Sequence, residues 1–355
     1  MNQDKVIYDF FAPSKKFEGL IDDYLVNIEK KGGVFYSILD SKIKSDNIIL
    51  RQFSYFITIR NILKENNYKI VHIHSSQGFE ALKGVVICKI CRVPVIIVHS
   101  HNAGMNKGSF YYLRRPLHSI SKFFLNRFKI KQFACSSTAS KWIFGHGNAL
   151  VIKNGLDLTK FSYNQLTRDQ FRKRHNIDNF FVIGCIGRFH YQKNHTFLLD
   201  IFSEVIKIRK GCRLLLVGEG ELEYSIKKKV EKLKLEKYVI FLGHTNNIPE
   251  ALLGMDAFVL TSRYEGLGIV NLEAQASGLP TILSDKIPHE VKCTELVEFI
   301  SLSAPPLIWA KRILSYATGF NRGDRVQEVS SAGYNLRIVA QELEDLYTDY
   351  VNQIY

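Results

Sequence analysis

Two glutamates, Glu265 and Glu273, stand eight positions apart, with seven residues between them, in the stretch Ser262-Arg-Tyr-Glu-Gly-Leu-Gly-Ile-Val-Asn-Leu-Glu273. On one continuous helix that spacing is a little over two turns, so both carboxylates would share a face. The first glutamate is expected at the mouth of the helix, just after an apolar strand over Ala257–Leu260. Between the two, Gly266-Leu267-Gly268 lets the backbone approach a ligand closely and leaves amide donors at a helix start, an arrangement that favours anions. Carboxylates that accept from hydroxyls, beside a phosphate-friendly helix start, suit a ligand carrying both groups, and a nucleotide sugar is such a ligand. The plain alternative is a solvated amphipathic helix with two ordinary glutamates.

Other candidates obey the same rule of place. Gly187 and Arg188 come directly after an apolar run over Phe181–Ile186, with Lys193 five residues further on. Gly218-Glu219-Gly220 comes after a run over Arg213–Val217. In open parallel sheets, ligands bind at the carboxyl ends of the strands, so these three loops are expected to converge on one site. In the first half of the chain, His99-Ser-His101 succeeds a strand over Val93–Val98, and either histidine can carry a proton near neutral pH or serve only as a structural hydrogen-bonding group. His72 and His74 alternate along another strand end, and one of the two is expected to pack inward. His190 and His195 flank Lys193 and read as loop residues. Cys88 and Cys91 form the single C-x-x-C; without a matching second pair they read as buried thiols on a core helix, and no metal site is expected. The chain has no D-x-D, which argues against a metal-held donor.

The elements that must position these residues alternate throughout. Strands are expected over Lys5–Phe11, Val34–Leu39, Ile70–Ile73, Val93–Val98, Gln132–Cys135 and Leu150–Ile152. A second series runs over Phe181–Ile186, Arg213–Val217, Tyr238–Leu242, Ala257–Leu260, Pro280–Leu283 and Val297–Ile300. Helical spacing fills the gaps, which implies α/β architecture with parallel sheets and crossover helices. A length of 355 residues accommodates two such blocks, each a doubly wound Rossmann-like domain. The boundary is expected in the polar stretch between Asn154 and Phe180, giving domains over 1–155 and 156–332 and a last helix from Gly333 to Val351 that returns toward the first domain.

Composition narrows the function classes. Hydrophobic residues make up 46% and charged residues 23%, ordinary for a globular protein, and no apolar run reaches the roughly 18–20 residues that cross a bilayer. No signal-peptide core is evident and the six cysteines are scattered, so a reducing, cytoplasmic setting is expected. The formal charge is +14, concentrated toward the start: no acidic residue lies between Glu80 and Asp157. Within that interval, Lys107–Lys129 interleaves aromatic and basic residues. Such a helix can lie on an anionic membrane or bind nucleic acid, or it can be a solvated basic face over a buried apolar side. No nucleic-acid-binding motif accompanies it, so the membrane reading is preferred and nucleic acid is not expected.

The E-x7-E stretch resembles the signature of the family 4 retaining glycosyltransferases, which have the two-domain GT-B fold with an interdomain cleft. Two further stretches resemble that family: Ile186-Gly-Arg-Phe-His-Tyr-Gln-Lys-Asn194, and Phe133-Ala-Cys-Ser136 with Val151-Ile-Lys-Asn-Gly-Leu-Asp157 after it. The three motifs occur in family order and span most of the chain, and the resemblance is closest to the branch that builds bacterial capsular and exopolysaccharides. It implies that Glu265 faces the transferred sugar, Glu273 binds the donor ribose, Arg188 and Lys193 clamp the donor diphosphate, and His99 or His101 contacts sugar and acceptor. Gly187, Gly218, Gly266, Leu267 and Gly268 would line the donor site, with no cofactor and no metal. The implied activity transfers a hexose from a nucleotide-diphosphate sugar, UDP first and GDP next, to a lipid-linked oligosaccharide at the inner face of the plasma membrane.

The start of the chain departs from the pattern. Family members open with a strand and a Gly-rich loop feeding a first helix, whereas Met1-Asn-Gln-Asp-Lys-Val-Ile-Tyr-Asp-Phe resembles the segment that normally comes after that helix. Gly32-Gly33 succeeds a helical stretch and reads as a helix end instead. A late coding start, a truncated gene and a member that works without the element all remain open. The chain as written is expected to be less stable than a relative that carries the element. There are three rival readings: a non-catalytic nucleotide-binding remnant, a UDP-sugar epimerase of the same fold, and a basic membrane scaffold.

Overall fold

The structure is a computed structural model that describes residues 7–9, 48–105 and 111–354. The chain divides into two compact units, one formed by residues up to Lys153 together with Ala340–Tyr355, the other by Asn154–Val339. The helix expected before Gly32-Gly33 and the strand expected over Val34–Leu39 lie outside the described residues.

Unit 1 is built on a parallel sheet in the order β1 (Ile7–Asp9), β2 (Ile70–Ser75), β3 (Val95–Ser100), β4 (Lys131–Ala134) and β5 (Leu150–Val151). Central strands β2 and β3 are rich in Val and Ile and buried along nearly their whole length, as strands covered on both faces must be. Helices α1 (Ile48–Asn66), α2 (Gly78–Ile90), α3 (Tyr111–Leu125) and α4 (Ser137–Phe144) make the crossovers. Helix α4 has local start and stop signals: the Ser136 hydroxyl accepts from the Ala139 amide, and Gly145 closes the other end in the left-handed region. Cys88 is buried in α2, but Cys91 is only half-buried and caps that helix.

Unit 2 holds a six-stranded parallel sheet in the order β11-β10-β9-β6-β7-β8. The strands are β6 (Phe181–Ile186), β7 (Cys212–Val217), β8 (Val239–Gly243), β9 (Ala257–Leu260), β10 (Thr281–Ser284) and β11 (Val297–Ile300). The chain winds outward from β6 to β8, returns to the other side of β6, and winds outward again from β9 to β11. Winding direction therefore reverses between β6 and β9, and the carboxyl ends of those two strands border the crevice where such sheets bind ligands. Helices α5 (Gln165–Arg174), α6 (His195–Ile208), α7 (Glu223–Lys232), α8 (Ile248–Gly254), α9 (Ile269–Ala276), α10 (Pro306–Leu314) and the short α11 (Val326–Val329) cover the sheet.

The polar segment from Asn154 to Phe180 is built into unit 2 rather than strung as a linker. It contains α5, whose Asn164 cap accepts from the Thr167 amide and whose Phe171 is buried. Arg168 and Arg172 of α5 both pair with Asp256. The last helix, α12 (Leu336–Asn352), starts later than expected because Gly333 takes a left-handed conformation at φ 87°. It begins in unit 2 and belongs to unit 1 from Ala340 onward. Among the described residues no helix is long and apolar enough to cross a membrane.

Candidate active site

In unit 2, loops from three neighbouring strands, β9, β6 and β7, meet side by side. The loop after β6 is tied to the loop after β7 by the Phe189 amide, which donates to the Glu219 carbonyl at 2.8 Å. It is tied to the loop after β9 by the Arg263 amide, which donates to the Gln192 carbonyl at 2.8 Å. Gly218, at φ 129°, lets two of these loops touch: a Cβ there would run into the Gly187 carbonyl.

Glu265 is the centre of this junction. It is 5% exposed, and its carboxylate accepts from Lys193 Nζ at 2.8 Å, Ser262 Oγ at 2.7 Å and Gln192 Nε2 at 3.0 Å. A buried carboxylate needs such partners, since an ionised group without them is strongly disfavoured. Glu265 is not on the helix that carries Glu273, contrary to the expectation of two carboxylates on one helical face. Helix α9 starts at Ile269 behind Gly268, whose left-handed φ of 78° breaks the helical path before it reaches back to Glu265. Gly266 and Leu267 fill the buried turn between them. The two carboxylates are brought together by a loop and its folding, and by Lys193, which pairs with one and acts electrostatically on the other.

Glu273 is half-buried. Desolvation raises its carboxyl to about 7, with Lys193 opposing the rise. A group poised there takes or gives a proton near neutrality and accepts well from hydroxyls once ionised. Arg188 differs from both: its side chain is 71% exposed and lies 3.6 Å from Glu221, a solvated pairing that leaves the guanidinium able to reorient. Gly187, one residue before it, packs under the Lys193 stem, where a Cβ would come within 2.9 Å of Cε. Ser262 and Gln192 were not singled out by sequence reading; their only signal was membership of the loops that hold Glu265 and Lys193.

In unit 1, His99 and His101 do lie at a strand end, but they are not alone. Side chains alternate faces along a strand, so His72 and His74 share one face of β2, and the register His74 to His99 sets β3's pair beside them. The four rings cluster: His72 and His74 stack with centroids 4.2 Å apart, and His99 and His101 lie tilted with centroids 4.1 Å apart. His72 is buried and His74 half-buried, yet both belong to one cluster; neither points to the opposite face. His74 Nδ1 bonds His101 Nε2 at 2.7 Å, and His72 Nδ1 bonds the Tyr347 hydroxyl of α12 at 2.6 Å. Burial lowers His72 to about 3 and His101 to about 4, and holds His74 and His99 well below 6.5, so all four are neutral at pH 7. His190 and His195 are separate: His190 lies 3.1 Å from Glu221, and His195 is buried at the start of α6.

Comparison with known proteins agrees with the geometry of unit 2. Residues 167–292 match the family model described as glycosyl transferases group 1. EpsF of Bacillus subtilis (strain 168), which carries a glycosyltransferase name, is 33% identical over 301 residues, covering 81% of this chain and 77% of its own. The UDP-Gal:alpha-D-GlcNAc-diphosphoundecaprenol alpha-1,3-galactosyltransferase of Escherichia coli is 27% identical, covering 85% and 81%. Among solved structures, Anabaena HepE in complex with UDP-glucose superposes with a TM-score of 0.75 at 17% identity over 97% of this chain and 99% of that one. WaaG, a glycosyltransferase of lipopolysaccharide biosynthesis, superposes with a TM-score of 0.66 at 14% identity over 94% and 93%. The architecture is therefore the GT-B fold, and by its sequence likeness to EpsF and the family match across its second unit this chain belongs to the glycosyl transferases group 1.

Proposed function

We propose that the protein is a retaining glycosyltransferase that moves a hexose from a UDP-sugar to a lipid-linked saccharide during synthesis of a bacterial capsular or extracellular polysaccharide. The observation that carries this reading is the junction at the reversal point of the unit 2 sheet. There Lys193, Glu265 and Glu273 interact across loops from adjacent strands, with Arg188 able to swing in. In this reading Glu273 takes the ribose hydroxyls and Glu265 faces the transferred sugar. Lys193 and Arg188 receive the diphosphate. As the bond from the sugar C1 to the donor phosphate oxygen breaks, the diphosphate keeps the electron pair, and Lys193, joined by Arg188 once it has swung in, stabilises that charge. The acceptor hydroxyl attacks C1 from the same face and passes its proton to the departing phosphate oxygen. His99 or His101 of unit 1 is assigned to the sugar and the acceptor.

UDP is favoured because HepE was solved with UDP-glucose and the E. coli relative is named for UDP-Gal. A lipid-linked acceptor is favoured because that same name specifies a diphosphoundecaprenol substrate. The exterior of unit 1 suits such an acceptor. Helix α3 buries His118, Ser121 and Leu125, while Tyr112, Leu113, Leu117, Ile120, Phe123 and Phe124 remain exposed. The exposure of these residues weighs against the alternative of a basic face over a buried apolar side. Arg114, Arg115 and Lys122 share the helix, and the Arg127 guanidinium lies 3.8 Å over the Phe123 ring. Exposed rings among cations are the chemistry of a helix that rests on an anionic lipid surface.

Thermal unfolding of the chain with and without millimolar UDP, GDP and ADP tests the donor assignment. A nucleotide at 100 times its dissociation constant stabilises by about 2.7 kcal/mol. Stabilisation by UDP, lost in Glu273→Ala, is the expected result; equal stabilisation of both proteins removes Glu273 from the donor site, and stabilisation by none removes the reading.

A further inference from the structure

We propose that His72, His74 and His99 form a binding site in unit 1 for one late first-row divalent ion, with Zn2+ as the type case. The inference does not rest on the transferase reading, because it uses only the local arrangement of β2, β3 and α12.

The sheet itself builds the ligand set. Two H-x-H pairs sit at the carboxyl ends of adjacent parallel strands, and period-two alternation with in-register pairing turns all four imidazoles to one face. Ligand atoms of His72, His74 and His99 already lie within 4.8 Å of one another. Three imidazoles around Zn2+ at ~2.0–2.1 Å require nitrogens a little over 3 Å apart, so small rotations of the rings complete the site.

The outer contacts match what a metal-binding histidine requires. One ring nitrogen normally bonds a neighbour that fixes tautomer and direction, while the other faces the ion. His72 Nδ1 is held by Tyr347 Oη and His74 Nδ1 by His101 Nε2, so Nε2 is the ligating atom in both. His99 gives an independent indication. It is 3% exposed, yet among the described residues neither of its ring nitrogens has a hydrogen-bond partner. Leaving a buried polar group unserved is costly, and folded proteins rarely tolerate it without an ion or water to meet it. Imidazole nitrogens without carboxylate favour Zn2+, Co2+, Ni2+ or Cu2+ over Mg2+ and Ca2+. With His99 engaged, His101 is the member of its pair left to meet a substrate.

The experiment uses the full chain without a polyhistidine tag, stripped with a chelator and titrated with Co2+ and then Zn2+. The expected result is a visible ligand-field spectrum of four-coordinate Co2+, saturating near one ion per chain, displaced by Zn2+, with a raised thermal midpoint. His99→Asn abolishes the spectrum, and the exposed His244→Asn leaves it unchanged. Tyr347→Phe keeps the imidazoles but removes the contact that orients His72, and it weakens binding by ~10–100-fold. Absence of the Co2+ spectrum from the folded wild-type chain overturns the proposal and leaves water as the occupant. If His99→Asn fails to fold, the wild-type titration and the Tyr347→Phe shift decide. Unchanged binding in Tyr347→Phe places any ion that is found outside this cluster, which also overturns the proposal.

Discussion

The two units use the same scaffold, the carboxyl ends of parallel strands, for opposite electrostatics. In unit 2 the strand-end loops carry charge of both signs, and Glu265 is buried only because Lys193, Ser262 and Gln192 surround it. In unit 1 the strand ends carry four imidazoles packed on one another, with burial holding them neutral. A polyanionic ligand entering unit 2 would compete with Glu265 for Lys193. A ligand entering unit 1 meets uncharged nitrogen donors. The sheet edge thus supplies position, and the residues placed on it decide which chemistry is received.

The largest effect expected from this contrast is catalytic. Arg188 is exposed and loosely paired, so Arg188→Ala leaves the thermal midpoint nearly unchanged. If it receives leaving-group charge, the same change lowers turnover by about 100- to 1,000-fold. A variant that keeps normal turnover in a sugar-transfer assay breaks the assignment of unit 2 as the charge-stabilising half.

A pH measurement sharpens the contrast next. The Glu273 carboxyl is raised from 4.5 to about 7 in the folded chain, so between those values the folded state holds a proton that the unfolded state has lost. Stability from this group therefore falls as pH rises from about 4.5 to about 7 and is level above, with a total on the order of 3 kcal/mol. Denaturant unfolding at pH 5 and pH 8 reads it directly: Glu273→Gln removes this component and is relatively more stable at pH 8. An identical pH slope in both proteins means that Glu273 is not desolvated as described.

The smallest effect concerns the outside of unit 1, where charge returns. Replacing Leu113 and Phe123 by glutamine removes two exposed apolar groups that touch no core, so the thermal midpoint holds. Sedimentation with anionic vesicles is expected to fall by roughly 10-fold and to fall again with added salt. Unchanged sedimentation means that α3 does not rest on lipid.

Much of the fold was legible because burial leaves a compositional trace. Strands covered on both faces read as Val, Ile and Leu runs, and Phe181–Ile186, Ala257–Leu260 and Val297–Ile300 form with the expected bounds. Others moved by a few residues where polar ends such as His74-Ser75 and His99-Ser100 continue the ladder. What the segment over 154–180 does not show in one dimension is the pairing of Arg168 and Arg172 with Asp256. The late start of α12 was missed because Gly333 carries no side chain to announce its left-handed turn.

For the site, the linear order of residues specifies which groups are available: glutamates at a glycine turn, cations after a strand, and histidines at two strand ends. Residue type and the alternation of a strand are local properties, so they are readable in one dimension. The surroundings of each group depend on the folded arrangement. The Glu265–Lys193 pair joins residues 72 positions apart, and the Tyr347–His72 bond joins residues 275 apart. The exposed apolar side of α3 obeys the same rule: a helix shows its two faces in sequence, but which face is covered depends on what packs against it. Register between strands, the winding reversal beside β6 and the burial that moves each proton affinity are all set by partners distant in the chain.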